Sequence, residues 1–330
     1  MAETATLPTG QRDVPARRSA GYWLNAVPPE AGLLLFLVAL GTWFTFGSEF
    51  FLTGNNLRNI LLSVSVLGIL AAPSTLLLIS GNFDLSIGSA AALCGVTFGL
   101  AAENNSLAVA VVLALLVGLT AGVANGVLVA VFGISSLIVT LGTLSVFRGV
   151  AQLRSNGQTI RIEGFRWLGS GHVLGIPVQI AIFVIVAVVF AATMRYTTFG
   201  RSVFAIGSSQ QAARLAGIRI NSTLFALFVT SGLLTALAGM ILSSQLRSAS
   251  PNNASGLELS VVAAVILGGA SLRGGRGTIT GTVLGVLILG TLNNGLTIMS
   301  ISSFWQDVAR GCVLILAVGL DQVRLRLRGD

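Results

Sequence analysis

The stretch LAVAVVLALLVGLTAGVANGVLVAVF, Leu107 to Phe132, holds no charged residue from end to end. An apolar run longer than about 18 residues reads as a helix that crosses a bilayer. Runs of this kind recur along the whole chain. They sort into ten candidate spans: Ala31–Phe46, Leu57–Ser80, Leu85–Ala102, Leu107–Phe132, Ser135–Gly149, Pro177–Met194, Asn221–Ser243, Leu257–Ala270, Thr278–Leu296 and Phe304–Leu320. The composition agrees. Of 330 residues, 54% are hydrophobic and only 9% charged, too few charges to cover the surface of a soluble chain. The expected fold is all-α and polytopic, with about ten transmembrane helices.

Short connections leave no room for a separate globular domain. Residues 1–30 read as a disordered cytoplasmic tail, 31–322 as the membrane domain and 323–330 as a second cytoplasmic tail. Met1–Pro29 has no short apolar core followed by small residues, so no removable signal peptide is expected. Arginine placement sets the orientation. Arg12, Arg17, Arg18, Arg195, Arg201, Arg214, Arg219, Arg273, Arg276, Arg324, Arg326 and Arg328 fall on one side if the amino terminus is inside. Both termini are then cytoplasmic. The loop of about residues 150–177 is periplasmic, and that of about 195–220 is cytoplasmic.

The halves repeat. Phe83-Asp84-Leu85-Ser86-Ile87 matches Leu257-Glu258-Leu259-Ser260-Val261, Asn125-Gly126 matches Asn294-Gly295, and Ile134–Leu137 matches Ile301–Phe304, at separations of 174, 169 and 167 residues. The shift carries spans three to five onto eight to ten. Five spans per half is odd, so the second copy enters upside down, as in many transport folds. On this reading Asp84 and Glu258 lie near opposite faces of the membrane.

Several functions are excluded by what is missing. The chain has no lysine, so it holds no P-loop ATPase. The lone histidine, His172, supplies too few ligands for a metal site and no triad. Cys94 and Cys312 both lie in apolar runs and make no disulfide framework. The net charge of +8 is spread over loop arginines, which fits helix orientation rather than nucleic acid.

Polar residues inside or beside the spans are candidates for a path or gate. Asp84 is expected to begin the third helix, where an acid caps free N–H groups and meets the helix dipole; a gating role is the alternative, shared with Ser86. Glu258 is weighed the same way in the second half. Asn125, Asn293 and Asn294 need partners within the bundle, across helices or along a path. Thr140, Thr143 and Leu144 share one face of the fifth span.

Arg195–Arg219 is too long for a turn and too amphipathic for a linker. Ser208-Ser209-Gln210-Gln211 reads as a capping box, and Gly217 as the glycine that ends the helix. This short helix carries Ala212, Leu215 and Ala216 on one side and Arg214 on another, a surface suited to a partner's groove.

Taken together, Gly81–Gly88, Leu137–Gly142, Tyr196–Gly217 and Leu267–Gly281 resemble the permeases of bacterial sugar-type ATP-binding-cassette importers, the ribose, xylose and rhamnose branch. The likeness runs from about Ala31 through nearly the whole chain. Asn82 replaces a frequent glycine, and Arg273 is unusual beside its glycine run. The resemblance implies a cobalamin-importer type of architecture in the bacterial inner membrane, paired with a second permease copy or a paralogue. It implies a cytoplasmic ATPase subunit that holds the ATP and Mg, and a periplasmic solute-binding protein. This chain would bind no cofactor and catalyse nothing itself. Coupling to the ATPase would fall to Gly207, Ser208, Gln211, Ala212, Arg214, Leu215 and Gly217. Branched-chain amino-acid or nucleoside permeases are the nearest rivals. An ion-coupled secondary transporter is a further one, disfavoured because Asp307 alone lies deep in a run, with Arg310 beside it.

Overall fold

The computed structural model describes residues 29–162, 165, 167–306, 308, 309, 311, 312, 315 and 319. Both tails, the pair Asp307 and Arg310, and much of the span Phe304–Leu320 lie outside the described residues. The helices are α1 (Pro29–Gly47), α2 (Gly54–Ile79), α3 (Ile87–Asn104), α4 (Leu107–Gly126), α5 (Ser136–Ser155), α6 (Trp167–Ser170), α7 (Val178–Tyr196), α8 (Thr198–Ser208), α9 (Gln210–Leu215), α10 (Ile220–Leu246), α11 (Leu257–Leu267) and α12 (Ile279–Ile298). Among them, α1, α2, α4, α5, α7, α10 and α12 are long and apolar enough to cross a membrane; α3 and α11 are shorter apolar helices. The protein is a multi-pass, all-α membrane protein.

Most boundaries fall within a few residues of those expected, with informative exceptions. α5 continues to Ser155 rather than ending at Gly149, and Asn156 closes it in the left-handed region. The end of the fourth span is a π-turn, Val127–Val131. Pro73 sits inside α2 without ending it. Its neighbours Ser74 and Thr75 donate to the carbonyls of Leu70 and Ala71, which supplies hydrogen bonds within the helix at the disturbed turn.

α2 and α10 form the enclosed middle of the bundle. α1 and α5 turn large apolar side chains outward, among them Leu35, Trp43, Phe46, Ile138 and Leu153, as a lipid-facing surface requires. Close approach between helices depends on glycine. A Cβ on Gly118 would stand 2.4 Å from the carbonyl oxygen of Gly232, and one on Gly232 would stand 2.2 Å from that of Gly118. Without a hydrophobic drive in lipid, such contact is what holds α4 against α10. Gly232→Ala is therefore expected to lower stability by about 1–3 kcal/mol, read as earlier thermal aggregation in detergent. Gly142→Ala, with open space around it, should leave stability unchanged.

The internal repeat reappears in the packing. A shift of 172 residues places Leu107–Gly126 on Ile279–Ile298, the full lengths of α4 and α12. It also converts the contact of Gly118 with Ala236 into that of Gly290 with Val64. Correspondingly α4 packs on α10 while α12 packs on α2, and α3 packs on α10 while α11 packs on α2. Partners exchange between halves, the pattern a two-fold relation produces.

The connections sort into two sides. On one, the loop after α5 forms β1 (Ile160–Arg161), the hairpin β2 (His172–Val173) with β3 (Ile176–Pro177), and α6. β1 pairs antiparallel with β4 (Ser248–Ala249), just after α10. His172 is exposed, and its Nε2 accepts a hydrogen bond from Arg58 at the start of α2. On the other side, the end of α2, the end of α8 and the turn before α12 meet one another.

Candidate functional site

The chain leaves α2 through Ser80 and turns at Gly81, whose φ of 79° favours glycine. It then runs without helical hydrogen bonds to Ser86, where α3 begins. Asp84 lies in this irregular stretch and is buried. Its Oδ1 accepts from the Ser86 backbone N–H at 3.1 Å and from Ser86 Oγ at 2.6 Å. Its Oδ2 accepts from Ser231 Oγ at 3.0 Å. Asn125 Nδ2 donates to Ser86 Oγ at 2.8 Å, while its Oδ1 is buried without a hydrogen-bond partner. Ser136 Oγ accepts from the Phe83 N–H at 3.1 Å. One broken helix thus gathers polar groups from α4, α5 and α10.

Two expectations are corrected. Asp84 does not begin the third helix at the boundary; it stands ahead of the helix and contacts Ser231, well inside α10. Nor does Glu258 mark the opposite face. It is buried in the first turn of α11, where the helix dipole favours an acid. Its Oε2 would collide with a Cβ on Gly88, in the first turn of α3 and four residues after Asp84. The physical reason is the same on both sides. Non-helical stretches carry the chain back into the bundle before α3 and α11 start, so both acids arrive in the interior rather than at the surfaces. Irregular backbone at depth is tolerated where protein encloses it.

The remaining path candidates are not brought to this cluster. Thr140 is fully buried and donates to the carbonyl of Ser136 in its own helix. Thr143, half-buried, does the same toward Thr140 at 3.4 Å. Asn294 exchanges two hydrogen bonds with Asn56 in the first turn of α2, at 2.9 and 3.0 Å, a clasp between α12 and α2. Asn293 is half-buried beside it.

The amphipathic segment is an elbow of two helices rather than one. α8 ends at Ser208, so the capping residue of α9 is Ser209, whose Oγ accepts from the Ala212 N–H at 3.2 Å; Ser208 is not the cap expected from the sequence. At the far end Gly217, with φ of 78°, lets Gly217 N–H reach Arg214 and Ile218 N–H reach Ala213. Ala213 is buried, while Gln211, Ala212, Arg214 and Ala216 are exposed and Leu215 is 84% exposed. α8 is anchored by Val203 and Ile206, which enter the same apolar cluster as Leu76 and Ile79 of α2.

The family described as branched-chain amino acid transport system / permease component matches residues 56–318. The chain belongs to this family of permeases. Among similar proteins, the L-arabinose ABC transporter permease protein AraH of Azospirillum brasilense is 38% identical over 95% of this chain and 93% of its own. The ribose import permease protein RbsC of Bacillus subtilis is 39% identical over 91% and 93%. The L-arabinose transport system permease protein AraH of Escherichia coli is 40% identical over 84% and 86%. No solved structure matches.

The permease thus has a buried polar centre at a broken helix and an exposed elbow at one end. Ser231 and Gly88 were not singled out from the sequence. The signal for Ser231 was present: a serine inside an apolar run needs a partner. Gly88 carries no comparable mark, because its role is the space it leaves for Glu258 and the Ala254 carbonyl.

Proposed function

We propose that this permease is the membrane subunit of an ATP-driven importer of a pentose or a related small sugar. The observation that carries the reading is the α8–α9 elbow. It is capped at both ends, anchored by buried residues, and holds Leu215 outside the bundle with no cover. A rigid apolar knob beside Arg214 suits docking into a groove on an ATPase subunit. ATP and Mg would be held by that partner, since the chain lacks the lysine of a P-loop. The elbow side is then cytoplasmic, with both termini. The side bearing His172 faces a periplasmic binding protein in the bacterial inner membrane. A second permease copy or a paralogue completes the path.

Alternating access would open the His172 side first and the elbow side second as ATP is consumed. The solute class follows the relatives, whose names specify arabinose and ribose. A branched-chain amino acid, as in the family's description, is the second reading. Assembled with an ATPase and a binding protein, the transporter should hydrolyse ATP faster with ribose or arabinose than with leucine. The opposite order would sink the sugar assignment.

Orientation has its own test. With Cys94 and Cys312 replaced, cysteine at His172 should react with an impermeant maleimide added to intact cells. Cysteine at Gln210 should react only after the membrane is opened. The reverse pattern would place the elbow outside and end the coupling role.

A further inference from the structure

α2 ends at Ile79, and a helix leaves its last carbonyls without partners inside the helix. Here the Ile79 carbonyl accepts the Gly275 N–H at 2.8 Å. Gly207, next to last in α8, is pressed so close that a Cβ on it would stand 1.7 Å from the same oxygen. On the far side, a Cβ on Gly274 would lie 3.0 Å from both the Gly207 and Ile79 oxygens and 3.1 Å from the Gly81 nitrogen. A Cβ on Gly275 would lie 3.1 Å from Ser208 Oγ. The turn is closed on itself by the bonds from Ser271 N–H to Arg276 and from Gly274 N–H to Ser271. Three connections from distant parts of the chain are thus clamped on one peptide unit, five residues before Asp84.

We propose that Gly207, Gly275 and the Ile79 carbonyl form the joint through which the elbow acts on the buried polar centre. They are positioning residues, and the inference rests on the reading of the elbow as the ATPase-docking element. A close-packed contact has little slack, so a shift of α8 cannot be absorbed at Gly207 and must move Ile79. From Ile79 the displacement enters Gly81–Ser86, which the N–H groups of Gly81 and Asn82 tie to the carbonyls of Leu78 and Leu77, so the stretch is carried with the end of α2. It then reaches Asp84 and loads its hydrogen bonds to Ser86 and Ser231. Gly275 holds the α11–α12 connection to the same oxygen, so both broken helices feel one movement. α9 binds the partner, and Gly207 passes the motion inward.

Two arms test this, in chains lacking Cys94 and Cys312. In the first, cysteine at half-buried Leu85 is labelled with a methanethiosulfonate in membranes holding the permease alone. Gly207→Ala should change its labelling rate several-fold, whereas Arg214→Glu should not. Equal rates in all three backgrounds would overturn the joint, whatever the fate of the ATPase reading. In the second, Ser208→Cys with Gly275→Cys is oxidised in the assembled transporter. Uptake of labelled ribose or arabinose should be lost on oxidation and recovered on reduction, with the ATPase still co-purifying. Gly275→Ala controls for the strain of a side chain at φ of 74°. A pair that never forms a disulfide, while Gly275→Ala transports normally, contradicts the contact, since Ser208 Oγ lies 3.1 Å from where the new Cβ would stand. Uptake that persists with the bridge closed contradicts transmission through it. If the assembled parent neither binds the ATPase nor takes up either sugar, the function reading fails, and the labelling arm still decides the joint.

Discussion

Leu215→Asp is expected to abolish uptake while leaving the permease folded and inserted. Leu215 is 84% exposed, so replacing it removes almost no packing within the chain. If α9 docks as proposed, the same position enters an apolar groove, where an unpaired carboxylate would cost about 1–3 kcal/mol or more. That corresponds to roughly a 5- to 140-fold loss of ATPase affinity, at about 1.4 kcal/mol per decade. Arg214→Glu should weaken docking by reversing an attraction to an acidic rim, and the defect should change with added salt. Co-purification of the ATPase with each variant gives the readout. Equal retention by both variants and the parent would show that α9 is not the docking element.

Asp84→Ala is expected to destabilise the bundle itself. The carboxylate accepts from Ser86 twice and from Ser231 once, and all three side chains are buried. Such hydrogen bonds contribute about 0.5–1.5 kcal/mol each, and truncation also leaves buried hydroxyls unpaired at about 1–3 kcal/mol. A loss of roughly 3 kcal/mol follows, seen as a lower unfolding temperature in detergent and reduced yield from membranes. Asp84→Asn keeps the shape and one acceptor, and the Ser231 hydroxyl can rotate to accept from the new amide. It should lose markedly less. If Asp84→Ala is as stable as the parent, the polar centre does not hold α3 and α10 together.

The spans were legible because apolar length is a property of sequence alone. Gly217 and the buried pairing of Asn294 were partly legible too, since a positive φ and a buried amide each make a local demand. What escaped depends on depth and on distant partners. Asp84 reads as a helix start from its neighbours, yet Gly81–Ser86 stays outside the helix because Ser231 and Ser136 satisfy its polar groups from α10 and α5. Glu258 reads as a boundary acid until α3 presents Gly88, with room for its carboxylate. Ser208 and Ser209 are equally good caps on paper; the choice falls to Ser209 because α8 uses Ser208 as its own last residue. The repeat was visible as three short matches, but its full register of 172 residues emerges only when helix ends and glycine contacts are laid side by side.

Uptake by proteoliposomes holding the permease, an ATPase subunit and a sugar-binding protein tests whether the chain works as part of an ATP-driven importer. ATP supplied on the elbow side should drive accumulation of labelled ribose or arabinose, and omitting ATP, the ATPase or the binding protein should abolish it. Accumulation by the permease alone under a proton or sodium gradient, without ATP, would contradict the account and make this chain a secondary transporter.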